Sequence, residues 1–306
     1  MNAFPRSQHL TAIAIAYRNP DIALVADAVL PRVPVGLREF GWFEYDLADH
    51  YTRPNTHVGR MSRVNRVESQ GVKQIATCED YGIDVVVSID DVNNAPSGVS
   101  LVERATMRAT DFILLDREAR VADMVFDPAA YPSTNKRDLE GQFSDPSSKP
   151  LTVVFEGLDK CLMRPNALLF GQEAWTCFSM HPDVVKAAHG NSGDVGRASR
   201  ERVAEIFEVN EVLVGSSFLN MKKPGEIPSL ERVWGPHILA FYRDRSVDTS
   251  GGVTFGFTAQ FGERVAGSKR EDLGLYGVEL VRSGESVKEL IVAPHAAFFF
   301  ENAAAL

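Results

Sequence analysis

From Val102 to Phe126 apolar side chains return every three or four residues: Val102, Ala105, Ala109, Phe112, Leu115, Ala119, Ala122 and Phe126. Ser100 and Glu103 stand where a capping box would begin this run, and Asp127-Pro128 closes it. The spacing predicts a single helix roughly 40 Å long. That is over twice the usual length, so the helix is expected to span the molecule as a spine. Its other side carries Arg104, Arg108, Asp111, Asp116, Arg117, Glu118, Arg120 and Asp123. Such a face is either solvated or docks another subunit.

The rest of the chain arranges itself around this helix. The first forty residues read as an arm carrying short helices. Ile22, Val25, Ala26 and Val29 share a helical face, and Pro31 and Pro34 then leave an extended segment suited to a strap across a neighbour. From Phe40 to about Ile89 the pattern turns to β, with Trp42, Glu44 and Asp46 alternating with Phe43, Tyr45 and Leu47. Val72–Ala76 and Ile83–Ile89 return as β-branched runs. The polar stretch between them, His50 to Gln70, predicts a long hairpin or extended loop leaving the domain body, and loops of that length are usually functional.

Residues 128–150 form a Pro/Ser/Asp-rich connector. Beyond it helices and strands alternate: Leu151–Leu162 helical, Asn166–Phe170 a strand, Glu173–Phe178 a short helix, Arg200–Glu208 a helix capped by Ser199, and Val212–Val214 a strand. Trp234–Tyr242, Val253–Phe261, Tyr276–Val281 and Ser286–Val292 read as β. The order indicates an α+β chain with an inserted α/β domain rather than a simple βαβ array.

No motif supplies a chemistry. A phosphate loop, Gly-x-Ser-x-Gly, His-Glu-x-x-His and a dinucleotide fingerprint are all missing. Gly215-Ser216-Ser217 reads as an ordinary turn. Cys161 and Cys177 lie sixteen apart and His181 and His189 eight apart, outside zinc-site spacing. Cys161 is expected in packed core, and Cys78 has no partner signal. The acids Asp84, Asp90 and Asp91 lack the pattern of a calcium loop and read as solvated. His181 and His189 stand beside Pro182 and Gly190, where helix ends explain them. No catalytic residue, cofactor or metal site is expected.

Leu10–Tyr17 is too short to span a membrane and lacks a signal-peptide cleavage site, and Ala293–Phe300 is interrupted by Pro294 and His295. A soluble cytosolic product is the expectation. Three scattered cysteines in 306 residues do not brace a fold.

The net charge of −9 argues against a protein that grips nucleic acid through a basic face, but it conceals an asymmetry. Arg53, Arg60, Arg63, Arg66 and Lys73 face the single acid Glu68 in the loop, whereas eleven acids face four arginines between Glu79 and Asp127. A basic loop beside an acidic body invites head-to-tail association. A solvated loop with incidental charge is the bland alternative.

Several segments, in order, carry a likeness. They are Ala16-Tyr-Arg-Asn-Pro20, Ala26-Asp-Ala-Val-Leu-Pro-Arg-Val-Pro-Val35, Phe40-Gly-Trp-Phe-Glu-Tyr45, Asp116-Arg-Glu-Ala-Arg-Val-Ala122 and Arg164-Pro-Asn-Ala-Leu-Leu-Phe-Gly171. Trp175, His181-Pro182, Val209–Gly215 and Val233-Trp-Gly235 complete the set. Together they resemble the major capsid proteins of tailed bacteriophages with the HK97-type fold, in the siphophage and Mu-like transposable branch. The resemblance covers essentially the whole chain.

It implies an N-terminal arm (1–40), an extended E-loop with its flanking strands (41–88) and a peripheral domain with the spine helix (89–150). It further implies an inserted axial domain (151–254) and C-terminal strands returning to the peripheral domain (255–306). It implies a structural role rather than an enzymatic one: hexamers and pentamers closing into an icosahedral head around double-stranded DNA, assembled in the host bacterial cytoplasm and located in the virion. An encapsulin-like bacterial compartment is the alternative with the same fold. Partners would be further copies, a separate scaffold, a portal, decoration or minor capsid proteins, and packaged DNA on the inner face without sequence specificity. Expected contacts between copies are Arg53, Arg60, Arg63, Arg66 and Lys73 on the loop and Asp111, Asp116, Glu118 and Asp123 on the helix. Lys73 is the sole loop lysine and reads as an ordinary surface residue rather than a cross-linking one.

Overall fold

The computed structural model describes residues 4–17, 19, 24–45, 53–60, 62–66, 71–190, 196–223, 225–244 and 253–305. The predicted spine is one helix, Leu101–Val125. Ser100 Oγ accepts from Glu103 N at 3.3 Å, which is one half of the capping box. Glu103 does not reach back, and instead meets His9 at 3.1 Å. Asp127 caps the turn that follows by accepting from Ala129 N.

The helix lies on a five-stranded sheet. The strands β1 (Arg32–Val35), β11 (Gly256–Phe261), β13 (Val278–Ile291) and β12 (Val265–Glu271) neighbour one another in that order, and β4 (Glu79–Ser88) pairs with the other side of β13. The two strands expected at 276–281 and 286–292 are this one continuous β13. Its first half pairs with β12 and its second half with β11, both antiparallel. The Pro31/Pro34 segment is also not the strap across a neighbour that its prolines suggested. It is β1, parallel to β11 at the sheet edge, a position where a proline without an N–H is tolerated.

Leu10–Tyr17, read above only as a short apolar stretch, falls on a helix, Gln8–Ala16, capped by Ser7 and ended at Tyr17. It buries Leu10 and Ala14 against Ala266. The second arm helix is seen at Ala26–Val29. Its expected beginning near Ile22 lies outside the described residues, as do Asp46, Leu47 and Glu68.

The second sheet runs β5 (Lys136–Asp138), β14 (Ala297–Glu301), β10 (Ile238–Phe241), β6 (Ala167–Gly171) and β7 (Glu211–Gly215), and β8 (Phe218–Asn220) pairs with β9 (Leu230–Arg232) in a separate antiparallel ribbon. Four helices cover one face: Pro150–Lys160, Gln172–Met180, Pro182–His189 and Arg200–Phe207, the last capped by Ser199 as expected. Successive side chains of β14 serve opposite faces. Phe298 and Phe300 join the helix-covered core with Phe178 and Phe207, while Phe299 joins Val121, Val125, Trp234 and Phe255 on the other side. A strand buried on both faces reads as an unbroken apolar run, so the Ala-Phe-Phe-Phe run near the chain end is a central strand. Within 255–306, β11, β12 and β13 thus belong to the first sheet and β14 to the second. The C-terminal half of the long helix gives Val121, Ala122 and Val125 to the core that holds Phe299, and the helix also packs on β13 and β4 of the first sheet, so one element ties the two sheets together.

Candidate assembly site

Two features could serve contacts between copies: the basic hairpin and the charged side of the long helix. The hairpin is a two-stranded antiparallel ribbon of β2 (Glu39–Tyr45) and β3 (Gly71–Thr77) that, among the described residues, pairs with no other strand. At its root Phe40 is buried among Val33, Val35, Cys78 and Phe257. Further out Val72 and Ile75 are exposed, and the Lys73 side chain lies across Gly41. Arg53, Arg60, Arg63 and Arg66 are all exposed. Arg60 sits in a turn closed by Ser62 N donating to Gly59 O at 2.9 Å. No ion pair holds any of these four among the described residues.

The helix residues divide. Asp116 and Asp123 are exposed, and Asp116 pairs with Arg120 one turn on. Arg117 and Glu118, expected on the same solvated face, are 1% and 0% exposed. Glu118 is therefore not a surface contact. Its carboxylate accepts from Val25 N at 2.9 Å, Ala26 N at 2.8 Å and Trp234 Nε1 at 2.6 Å. The first two are free N–H groups at the start of the short arm helix, a position that attracts a carboxylate. Burial pushes the Glu118 carboxyl above its ordinary range, against the pull of those donors. Asp111 is half-buried and also turns inward, accepting from Tyr17 Oη at 3.2 Å and Asn19 Nδ2 at 3.3 Å. Burial raises it as well.

Arg117 reaches Asp27, Leu30 O at 3.3 Å and Thr258 Oγ1 at 2.8 Å. Asp27 in turn meets Arg32 at 2.8 Å. Arg32 and Arg264 converge on the fully buried Glu285 at 2.9 and 2.8 Å. Arg120 meets Glu289 at 2.9 Å and lies over the Tyr81 ring. These groups fasten the arm to the helix and the first sheet. Sequence spacing could not reveal them, because every partner of Arg117 and Glu118 is remote along the chain. The hint was the density of arginines and acids around 116–123, which exceeds what a solvated face needs.

Residues weighed above for chemistry have structural work. Asp84 accepts from Arg282 Nε and Nη2, both at 2.6 Å, while Asp90 and Asp91 open the helix Ile89–Asn94. His181 caps the helix after it, its Nδ1 accepting from Asp183 N at 3.2 Å. The cysteines are unpaired, and burial pushes the Cys161 thiol up to about 12. Among the described residues no group of three His, Cys, Asp or Glu is placed to hold a metal ion, and no helix is long and apolar enough to cross a membrane.

No protein-family model matches the sequence, but full-length relatives do. Over 305 residues, 99% of this chain and 98% of the relative, it is 47% identical to the major capsid protein of Pseudomonas phage JBD67. The chain belongs to the phage major capsid protein family. Another member, the major capsid protein of Burkholderia phage BcepMu, is 27% identical over 96% of this chain and 95% of its own.

The fold agrees with that membership. A phage-related protein from Bordetella bronchiseptica RB50 superposes with a TM-score of 0.76 at 19% identity, covering 100% of this chain and 99% of its own. The capsid protein of cyanophage P-SCSP1u gives 0.60 at 10% identity, over 94% and 89%. The α+β architecture of this major capsid protein is the HK97-type capsid fold. The SrpI encapsulin of Synechococcus elongatus PCC 7942 shares it at a TM-score of 0.52 and 9% identity, over 98% and 96%, which is a likeness of fold alone.

Proposed function

We propose that the chain is the structural subunit of a phage head, acting as a building block and not as an enzyme. The identity of 47% across the full length of a phage major capsid protein carries this reading. In it, hexamers and pentamers close an icosahedral shell around double-stranded DNA, the virion is the final location, and the host cytoplasm is where assembly occurs. Scaffold, portal and decoration proteins are the expected partners. Residues 1–40 act as arm, 41–88 as extended loop with its flanking strands, 89–150 and 255–306 as peripheral domain, and 151–254 as axial domain. The loop of one copy lies on the body of the next, with Arg53, Arg60, Arg63, Arg66 and Lys73 facing exposed acids such as Asp116 and Asp123. Glu118 and Asp111 are spent within the subunit and hold the arm instead.

Negative-stain microscopy and size-exclusion chromatography of the purified chain, alone and with co-expressed scaffold, test the reading. Closed particles or capsomer rings are expected. A persistent 33.7 kDa monomer under both conditions would overturn it. Particles filled with a host enzyme instead of DNA would favour the compartment reading.

A further inference from the structure

We propose that His237 is a pH-operated latch: protonating its ring withdraws the acceptor that holds Asn302 and loosens the segment Asn302–Ala305 in mild acid. The backbone N–H of Asn302 donates to His237 Nδ1 at 3.0 Å. A backbone amide can only donate, so Nδ1 must be the bare nitrogen and the neutral ring carries its hydrogen on Nε2. A second proton has only Nδ1 to occupy, where it would point at another N–H. The bond is then replaced by a repulsive contact between two donors.

The surroundings keep the ring in the bond-accepting form. It is packed against Phe126 and Phe299, with centroids at 5.2 and 5.5 Å. Burial lowers its pKa below the ordinary 6.5, with Asp138 pulling the other way. The charged groups around it come from three elements. Asp123 and Asp127, at the end of the long helix, line with His237 and Gly235 an open cleft of about 400 Å³. Asp138 on β5 accepts from Asn302 Nδ2 at 3.3 Å, and Lys136 on the same strand is engaged with Pro128 O at 2.8 Å. Glu301 on β14 stands opposite Asp138 in register. In the structure the bond of Asn302 N goes to His237 Nδ1 and not to any of these carboxylates.

What the latch holds is a seam. Asn302 adopts the left-handed conformation, φ 47°, which a non-glycine residue keeps only when its surroundings impose it. Beyond it Ala303 N donates to Pro236 O at 2.8 Å, and Gly141 N and Phe143 N donate to Asn302 O and Ala303 O at 2.6 and 3.0 Å. Ala305 N donates to Ser144 Oγ at 2.9 Å. Releasing Asn302 therefore loosens both the chain end and the connector Leu139–Ser144. Because the folded pKa lies below the unfolded one, the stabilisation is complete above about pH 6.5 and is lost as pH falls through the lowered value.

The test is amide hydrogen exchange at Asn302 and Ala303 in the full chain between pH 8 and pH 5, expressed as protection factors corrected for intrinsic exchange. Protection should fall about tenfold or more in the native protein. His237→Asn offers a non-titrating oxygen near the Nδ1 position and should stay protected throughout, while His237→Phe should be unprotected at every pH. A flat native profile would overturn the latch, as would an acid loss preserved in His237→Asn, which would move the effect to Asp123, Asp127 or Asp138. Imidazole nitrogen chemical shifts of the native protein give a check free of mutation: hydrogen on Nδ1 at pH 8 would also refute it. Neither readout needs assembled particles, so the outcome is separate from that of the head-subunit reading.

Discussion

Trp234 Nε1 donates to Glu118 Oε1 at 2.6 Å, and both side chains are fully buried. The same carboxylate closes the start of the arm helix through Val25 N and Ala26 N. One side chain on the long helix thus joins the arm to the loop that precedes β10.

Removing that carboxylate strands two buried donors, Ala26 N and Trp234 Nε1, and the part-buried Val25 N. Each unsatisfied buried donor costs about 1–3 kcal/mol. Glu118→Ala should therefore destabilise the subunit by at least about 2 kcal/mol, read as a lowered urea midpoint at unchanged slope. Trp234→Phe leaves the other two bonds in place and should cost about 1–2 kcal/mol. The double mutant should show a clear coupling between the two sites; strict additivity would mean that the short contact contributes nothing.

Acid should release the arm. Burial pushes the carboxyls of Asp27 and Glu285 up, but the charges of Arg117 and Arg32 at Asp27, and of Arg32 and Arg264 at Glu285, outweigh it, and both end below their ordinary range. A carboxyl with a depressed folded pKa stabilises above its unfolded value, near 4, and that contribution is lost as pH falls further. Glu118, displaced upward, works in the opposite sense and partly offsets the loss. Protection factors at residues 24–35, corrected for intrinsic exchange, should fall below about pH 4 and hold steady from pH 5 to 8. Arg264→Met should move the onset to higher pH.

Two glycines mark places where the packing leaves no room for a methyl. A Cβ at Gly171 would overlap Gly235 O, and one at Gly157 would overlap the rings of Phe300 and Phe298. Gly171→Ala meets main chain that cannot turn away, so loss of soluble protein is expected. Gly157→Ala meets ring edges and should cost about 1–3 kcal/mol. Gly36, with nothing within 4 Å of its added Cβ, is the control: alanine there should be neutral or stabilise by about 0.5 kcal/mol. Thermal unfolding of the three variants distinguishes these outcomes.

If loop and body charges align neighbouring copies, reversing Arg60, Arg63 and Arg66 to glutamate should leave subunit unfolding unchanged and reduce particle yield. Single exposed pairs contribute only about 0–1 kcal/mol, so the deficit should be partial and should depend on salt. Adding Asp116→Lys and Asp123→Lys should restore part of the yield. Unaltered yield in the triple variant would leave the basic loop without a role in assembly.

The features legible in the sequence are those with a local cause. The long helix announces itself through apolar spacing and Ser100, and Arg200–Phe207 through Ser199. The buried strand Ala167–Gly171 shows as a short apolar run. The features that escaped have causes far along the chain. Arg117 and Glu118 look like surface charges until Asp27, the free N–H groups at 25 and 26, Thr258 and Trp234 arrive around them. The Pro31/Pro34 segment reads as a strap because nothing nearby shows that β11 will lie beside it. The helix at Gln8–Ala16 did have a local signal, the Ser7 cap, which its apolar stretch obscured. Of the expected contact residues, exposure alone is now visible for those on the loop, and burial removes Glu118.

The pairing of β4 with β13 has a consequence in time. Its partners, such as Asp84 and Arg282, stand 198 residues apart. At about 5–20 residues per second, a ribosome needs on the order of 10–40 s after making β4 before the strand beside it exists. Throughout that interval the sheet that anchors both the arm and the base of the hairpin cannot close. A nascent chain therefore cannot present a finished surface to its neighbours on the same message, and only chains synthesised nearly to their end are shaped to join a shell.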